Sequence, residues 1–193
     1  PAPHTKEVAA SLCELQRPIT VAEAWEALEA CNQHTAPGQD NITYRVLKYL
    51  HHSAAQLLID LYNLCFRSGC VPKEWCTAVV CPLFKGNAAL DPQGSLEVDN
   101  YRGISLTSCV GKLLEKILAR RLEQHISLVA PLCETQNGFR PKRNAVSHVW
   151  SLVETLAQRG PNSLALCFDL RKAFPRVRRS SFLSALYSRG VQG

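Results

Sequence analysis

Cys167-Phe168-Asp169-Leu170-Arg171-Lys172-Ala173-Phe174-Pro175-Arg176-Val177 is the stretch that decides how this chain is read. Residues 164–170 form a short, nearly continuous apolar run, bounded upstream by Gly160-Pro161-Asn162-Ser163. That pattern predicts a strand covered on both faces. Its carboxyl end carries one carboxylate, Asp169, with Arg171 and Lys172 directly behind it. An acidic side chain leaving the end of a buried strand is a common place to hold a metal ion or activate a group. Asp169 capping the following turn, or pairing with Lys172, is the competing reading. Beyond Asp169 come Arg171, Lys172, Arg176, Arg178, Arg179 and Arg189, and no acidic residue. Such a run is either a solvated face or the footprint of a polyanionic partner.

The 193 residues suffice for one domain of moderate size or two small ones, and an apolar fraction of 46% is that of a chain with a core. No apolar run approaches the roughly 20 residues that span a bilayer, and the amino terminus lacks a signal-peptide pattern. No membrane partner is expected. The nine cysteines, at 13, 31, 65, 70, 76, 81, 109, 133 and 167, include no C-x-x-C pair. An odd number at irregular spacing argues against a disulfide framework and a zinc site. Their setting reads as reducing and intracellular, nucleus or cytoplasm. Pro1 opens the chain and Met is absent, so it reads as a piece of a longer protein. The net charge is +6.

Thr20-Val21-Ala22-Glu23 is a capping box, predicting a helix to about Cys31 with Trp25 and Leu28 on one face. A turn-rich connection, Thr35-Ala36-Pro37-Gly38-Gln39-Asp40, leads to helix at 44–51. Ser53 can cap a longer one, with Leu57, Leu58, Leu61, Leu64 and Cys65 as its apolar stripe and Gly69 as its stop. A helical or irregular corner, 71–75, precedes a strand at 77–84 that closes on Lys85-Gly86. Residues 87–99 look like a mobile hairpin loop. The clearest helix starts at Thr107 or Ser108, with Val110, Leu113, Leu114, Ile117, Leu118 and Leu122 on its core face. Gln136-Asn137-Gly138-Phe139-Arg140-Pro141-Lys142-Arg143-Asn144 is a basic loop. An amphipathic helix follows, with Val146, Val149, Trp150, Val153 and Leu156 on one side. Ser180 or Ser181 can cap a last helix to about Gly190.

Five stretches stand in order: Ala36-Pro37-Gly38-Gln39-Asp40, residues 75–85, Asn100-Tyr101-Arg102-Gly103-Ile104-Ser105-Leu106, Gly138-Phe139-Arg140 with Arg143, and Phe168-Asp169-Leu170-Arg171-Lys172-Ala173-Phe174. Together they resemble the amino-terminal half of the reverse transcriptase domain of non-LTR (LINE-type) retrotransposons. Group II intron reverse transcriptases are more distant relatives. The resemblance covers roughly residues 20–191. It implies an α+β, right-hand polymerase fragment, helix-rich, with a finger β-hairpin and one palm strand. Residues 1–18 would be a flank, 19–160 the fingers-like region and 161–193 the truncated start of the palm. The implied activity is RNA-directed DNA polymerisation on an RNA template and DNA primer, with deoxynucleoside triphosphates as substrates.

By the same resemblance, Asp169 is the first metal-binding palm aspartate and the catalytic carboxylate. It holds two Mg²⁺ ions with carboxylates from elsewhere, which would lower the pKa of the primer 3′-hydroxyl and stabilise the leaving pyrophosphate. Lys85 and Arg102 would flank the finger hairpin and clamp the nucleotide triphosphate, one as a compact charge and one as a bidentate fork. Otherwise they are solvated surface cations. Phe174 would lie under the nucleotide sugar and exclude a 2′-hydroxyl, or else be an ordinary core residue. Arg140 and Arg143 would contact template backbone.

The chain departs from the family pattern at Pro175, where Asp is usual, at Arg179, where His is usual, and at Gly103, where Pro is common. Pro175 is expected to push Phe174 away from the α region. One aspartate cannot hold two divalent ions, and nothing acidic follows Asp169. The stretch is therefore expected not to polymerise alone, and its palm strand to lack sheet neighbours. The competing function is a decayed or domesticated remnant that only binds RNA or DNA; a purely structural domain is the third.

Overall fold

The computed structural model describes residues 5–86, 97–140, 142–160, 162–170 and 173–191. The chain divides into two compact units, 13–123 and 124–193 with 1–12. Helices α1 (Thr5–Gln16) and α5 (Cys109–Val129) each run across that division.

Within 13–123, Thr20 opens α2 (Val21–Glu29), its hydroxyl oxygen accepting the Glu23 N–H at 3.3 Å as the capping box requires. Thr43 does the same for α3 (Tyr44–Lys48). The longer helix α4 (His52–Ser68) is capped by His51, whose Nδ1 accepts the Ser53 N–H at 3.4 Å. Ser53 is therefore inside the helix rather than its cap. Gly69 ends α4 in the left-handed region, at φ 66°, where a glycine carries no Cβ penalty.

The face of α4 that enters the core is only partly the expected one: of the predicted stripe Cys65 is buried and Leu58 half-buried against the core. Ile59, Tyr62 and Cys65 are buried, whereas Leu57, Leu61 and Leu64 are exposed. Tyr62 decides the rotation. Its hydroxyl donates to the Val110 carbonyl at 2.7 Å, and its ring meets Trp75 edge-on at 5.9 Å. An aromatic side chain with a buried partner for its polar tip is worth more inside than one more leucine.

Helix α5 supplies the opposite wall, with Val110, Leu113, Leu114 and Ile117 buried as its pattern predicts, Leu118 and Leu122 only half-buried, and Cys109 buried beside them. Trp75 packs against Gly111, where an added Cβ would lie 3.0 Å from Trp75 Cβ. Arg121 is also buried, one turn beyond Ile117. Its guanidinium forks onto Glu23, Nε to Oε1 and Nη2 to Oε2 both at 2.7 Å, and donates to the Leu15, Arg17 and Pro18 carbonyls. Asn63 fixes the same connection by accepting from Ile19 N–H at 2.7 Å and donating to Ile19 C=O at 2.9 Å.

Between α4 and α5 in the chain comes a two-stranded antiparallel ladder of β1 (Val79–Phe84) and β2 (Tyr101–Leu106), running from Val79 opposite Leu106 to Phe84 opposite Tyr101. Most of the expected mobile loop, 87–96, lies outside the described residues.

The other unit carries α6 (Ala145–Arg159), α7 (Ala173–Arg176) and α8 (Arg179–Tyr187). Asn144 caps α6 by accepting the Ser147 N–H at 2.8 Å. His125, nearly inaccessible on α5, links Ser11 Oγ and the Arg189 carbonyl, each at 2.9 Å. A carbonyl only accepts, so Nε2 carries a proton and, in the neutral ring, Nδ1 accepts from Ser11.

Three expectations fail in this unit. The run 164–170 joins no ladder among the described residues, and Leu164, Leu166, Phe168 and Leu170 are exposed. The expected strand covered on both faces is therefore not formed among the described residues. An extended segment becomes a strand only when its N–H and C=O groups meet a neighbour, and the described residues supply none. Phe174 lies inside the α7 turn although Pro175 follows it. Proline is compatible with a first helical turn, where its missing N–H has no intrahelical acceptor. Helix α8 begins at Arg179, without a side-chain cap from Ser180 or Ser181.

Candidate functional site

The β1–β2 hairpin is anchored at its base by the first of the five motifs. Asp40 accepts a 2.5 Å hydrogen bond from the Ser108 hydroxyl and another from the Ile42 N–H at 3.1 Å. Ser108 Oγ in turn accepts from the N–H groups of Val110 and Gly111, capping α5 directly after β2. Gly38 approaches this junction so closely that an added Cβ would lie 2.6 Å from Ser108 N. Only glycine fits there, which gives the Pro37-Gly38-Gln39-Asp40 sequence a positional reason: it pins the turn from β2 into α5.

The ladder then sets the positions of Lys85 and Arg102. The Lys85 N–H donates to the Asn100 carbonyl at 2.9 Å, extending the register one residue past β1. Leu83 stands opposite Arg102. Because side chains alternate faces along a strand and opposite residues share one, Lys85, Leu83 and Arg102 fall on the same face, with the two cations diagonal neighbours. Both are exposed. Lys85 Nζ donates to the Asp99 carbonyl. Among the described residues Arg102 has no side-chain hydrogen bond or ion pair. Phe84 and Tyr101 pair on the opposite face, ring centroids 5.3 Å apart.

In the other unit, Arg140 and Arg143 converge on a residue that sequence reading passed over, Glu134. Arg143 Nη2 lies 2.6 Å from Glu134 Oε2, and Arg140 Nη2 lies 3.7 Å from Oε1. Arg140 Nη1 also donates to the carbonyls of Cys133 at 3.0 Å and Gln136 at 3.4 Å, while Arg143 Nη1 donates to Asn137 Oδ1 at 3.4 Å. The signal in the sequence was one acid six and nine positions ahead of two arginines, in a loop that turns at Gly138. Phe139, at φ 58°, is almost fully exposed and meets the exposed Phe174 edge-on, centroids 6.1 Å apart at 87°.

Asp169 is exposed and, among the described residues, has no hydrogen-bond or ion-pair partner. Arg171 and Lys172 lie outside the described residues. No group of three or more His, Cys, Asp or Glu residues able to hold a metal ion occurs among the described residues. Two-ion catalysis needs carboxylates from more than one element to hold ions about 3.5–4 Å apart. A single exposed aspartate does not fit that requirement. No described helix is long and apolar enough to cross a membrane.

Comparison with known proteins gives a consistent result. The family model described as reverse transcriptase (RNA-dependent DNA polymerase) matches residues 89–192. The chain is 32% identical over 171 residues to a probable RNA-directed DNA polymerase from transposon BS of Drosophila melanogaster, a match covering 87% of this chain and 18% of the relative. It is 28% identical over 165 residues to the RNA-directed DNA polymerase from mobile element jockey of Drosophila funebris, covering 83% and 17%. A probable RNA-directed DNA polymerase from transposon X-element of Drosophila melanogaster is 28% identical over 173 residues, covering 85% and 18%. The chain thus spans less than a fifth of the length of these curated relatives.

Proposed function

Because the chain belongs to the reverse transcriptase (RNA-dependent DNA polymerase) family, as a partial domain of the non-LTR retrotransposon kind, we propose that it forms the fingers and the opening segment of the palm of an RNA-directed DNA polymerase. Its partners on this reading are an RNA template, a DNA primer and deoxynucleoside triphosphates. The observation that carries it is the register of β1 and β2, which sets Lys85 and Arg102 on one exposed face.

A triphosphate presents several anionic oxygens at fixed spacing. A compact ammonium beside a planar guanidinium fork answers that pattern, the lysine as a point charge and the arginine as a bidentate donor. Asp40, Gly38 and Ser108 hold the hairpin's base rigid, so the two cations are positioned before the ligand arrives. Arg140 and Arg143 take template phosphates, which fixes position without reading sequence. Phe174 lies under the nucleotide sugar. Reverse transcriptases use divalent metal ions. On our reading these are Mg²⁺, held by Asp169 together with carboxylates that the described residues do not supply, so no catalytic step is assigned to this chain alone.

Primer extension by the complete reading frame that carries this chain tests the assignment. Lys85→Ala and Arg102→Ala each remove a charge-assisted contact, about 1.5–3 kcal/mol, and are expected to raise KM for the deoxynucleoside triphosphate by about ten- to a hundredfold. An unchanged KM in the double variant would remove the triphosphate clamp from this hairpin.

A further inference from the structure

We infer that Glu134 is a built-in competitor of the nucleic-acid backbone, occupying the two arginine forks where phosphate oxygens bind and thereby setting the affinity and salt dependence of the template contact. The inference rests on the reading of Arg140 and Arg143 as template-binding residues and says how that contact is regulated.

The geometry of the pair of forks carries the argument. Glu134 Oε2 accepts a hydrogen bond from Arg143 Nη2 at 2.6 Å, and Oε1 lies at ion-pair distance, 3.7 Å, from Arg140 Nη2. A phosphate offers the same thing, two anionic oxygens on one centre, and so the two acceptors are alternatives at one place. The three side chains also differ in accessibility. Glu134 is 80% exposed, against 21% for Arg140 and 36% for Arg143. The carboxylate is the most accessible of the three side chains.

Glu134 can leave without disassembling what it covers. Both arginines keep a second hold on the loop: Arg140 through the Cys133 and Gln136 carbonyls, Arg143 through the Asn137 side chain. Asn137 is itself tied to α6, its Nδ2 lying 2.7 Å from His148 Nδ1. The forks therefore stay aimed when the carboxylate swings away. Exposed ion pairs of this kind are worth about 0.2–1 kcal/mol each. That is weak enough for a polyanion to displace the carboxylate, and large enough to penalise ligands that offer only one isolated charge. Binding becomes an exchange of carboxylate for phosphate rather than a simple addition.

The test uses the 193-residue chain and a fluorescein-labelled DNA primer annealed to an RNA template with a single-stranded overhang, read by fluorescence anisotropy across a salt series. Three proteins are compared: the unaltered chain, Glu134→Gln, and Arg140→Ala/Arg143→Ala. The glutamine keeps the shape and removes the charge. The expected result is a gain in affinity of about two- to tenfold for Glu134→Gln. Its log–log salt slope should steepen by about one phosphate contact, because its arginines no longer hold an internal counterion. The double arginine variant should lose affinity and flatten the slope. If the arginine variant binds as well as the unaltered chain, the template reading itself is wrong. If that variant weakens but Glu134→Gln does not change binding, or weakens it, the carboxylate is not a competitor and the inference is overturned.

Discussion

Replacing Arg121 by methionine removes the most heavily used side chain in the 13–123 unit. The guanidinium side chain is 4% exposed and its partner Glu23 11%. It makes a two-pronged bond to that carboxylate, donates to three backbone carbonyls in the 15–18 connection, and lies 5.9 Å from the Phe66 ring centroid. Methionine fills much of the volume but leaves Glu23 charged and enclosed. Breaking one side of a buried pair costs about 3–5 kcal/mol, a large part of the roughly 5–15 kcal/mol that stabilises a typical domain. The pH dependence makes the prediction sharper. Burial works to raise the Glu23 pKa, but the hydrogen bonds and charge of Arg121, with the charge of Arg17 and the Thr20 contact, hold it below the usual carboxylate value. A depressed carboxylate contributes stability above its unfolded pKa and loses it as pH falls through the folded value. In Arg121→Met burial is opposed only by the weaker Arg17 pair and the Thr20 contact, the pKa moves upward, and the penalty fades as the carboxyl protonates. The stability gap between the two proteins should therefore be widest near neutral pH and narrow on acidification through the ordinary carboxylate range. Urea unfolding followed by far-UV circular dichroism across that range measures it. A gap below about 1 kcal/mol, or one that does not change with pH, refutes the idea that this ion pair holds α1, α2 and α5 together.

The two core tyrosines should respond to the same substitution in opposite ways, as urea midpoints of the single variants will report. Tyr62→Phe removes the hydroxyl that donates to Val110 C=O, leaving a buried acceptor unpaired, at a cost of about 1–2 kcal/mol. Tyr44→Phe removes a buried hydroxyl that has no hydrogen-bond partner among the described residues. It should be neutral or stabilising; a loss as large as that of Tyr62→Phe would mean that the Tyr44 hydroxyl is satisfied after all.

Local rules were readable wherever a short-range signal decided the outcome. The Thr20 box, the Gly69 stop, the strand closing on Lys85 and the core stripe of α5 up to Ile117 all depend on neighbours within a turn or two. What was not readable depended on distant partners. Helix α4 carries apolar residues on more than one face, and only the Val110 carbonyl 48 residues away selects the face bearing Tyr62. Arg121 and His125 look like solvent-facing residues of α5 until Glu23, Ser11 and Arg189 come to meet them. Glu134 was passed over for the same reason. Residues 164–170 show the limit from the other side. Their composition is that of a strand, yet no described segment pairs with them, and an unpaired edge does not fold into a sheet. The stripe on α6 matched its pattern in periodicity, but Val146, Val149, Trp150 and Val153 face solvent. Periodicity states which residues share a face, not what covers it.

The most direct test of the account is primer extension on an RNA template by the complete reading frame that carries this chain, unaltered and with Asp169→Ala, at matched primer–template occupancy. The account predicts DNA synthesis by the unaltered protein and none above background for the variant, with template binding retained. Extension surviving the loss of that carboxylate would contradict it.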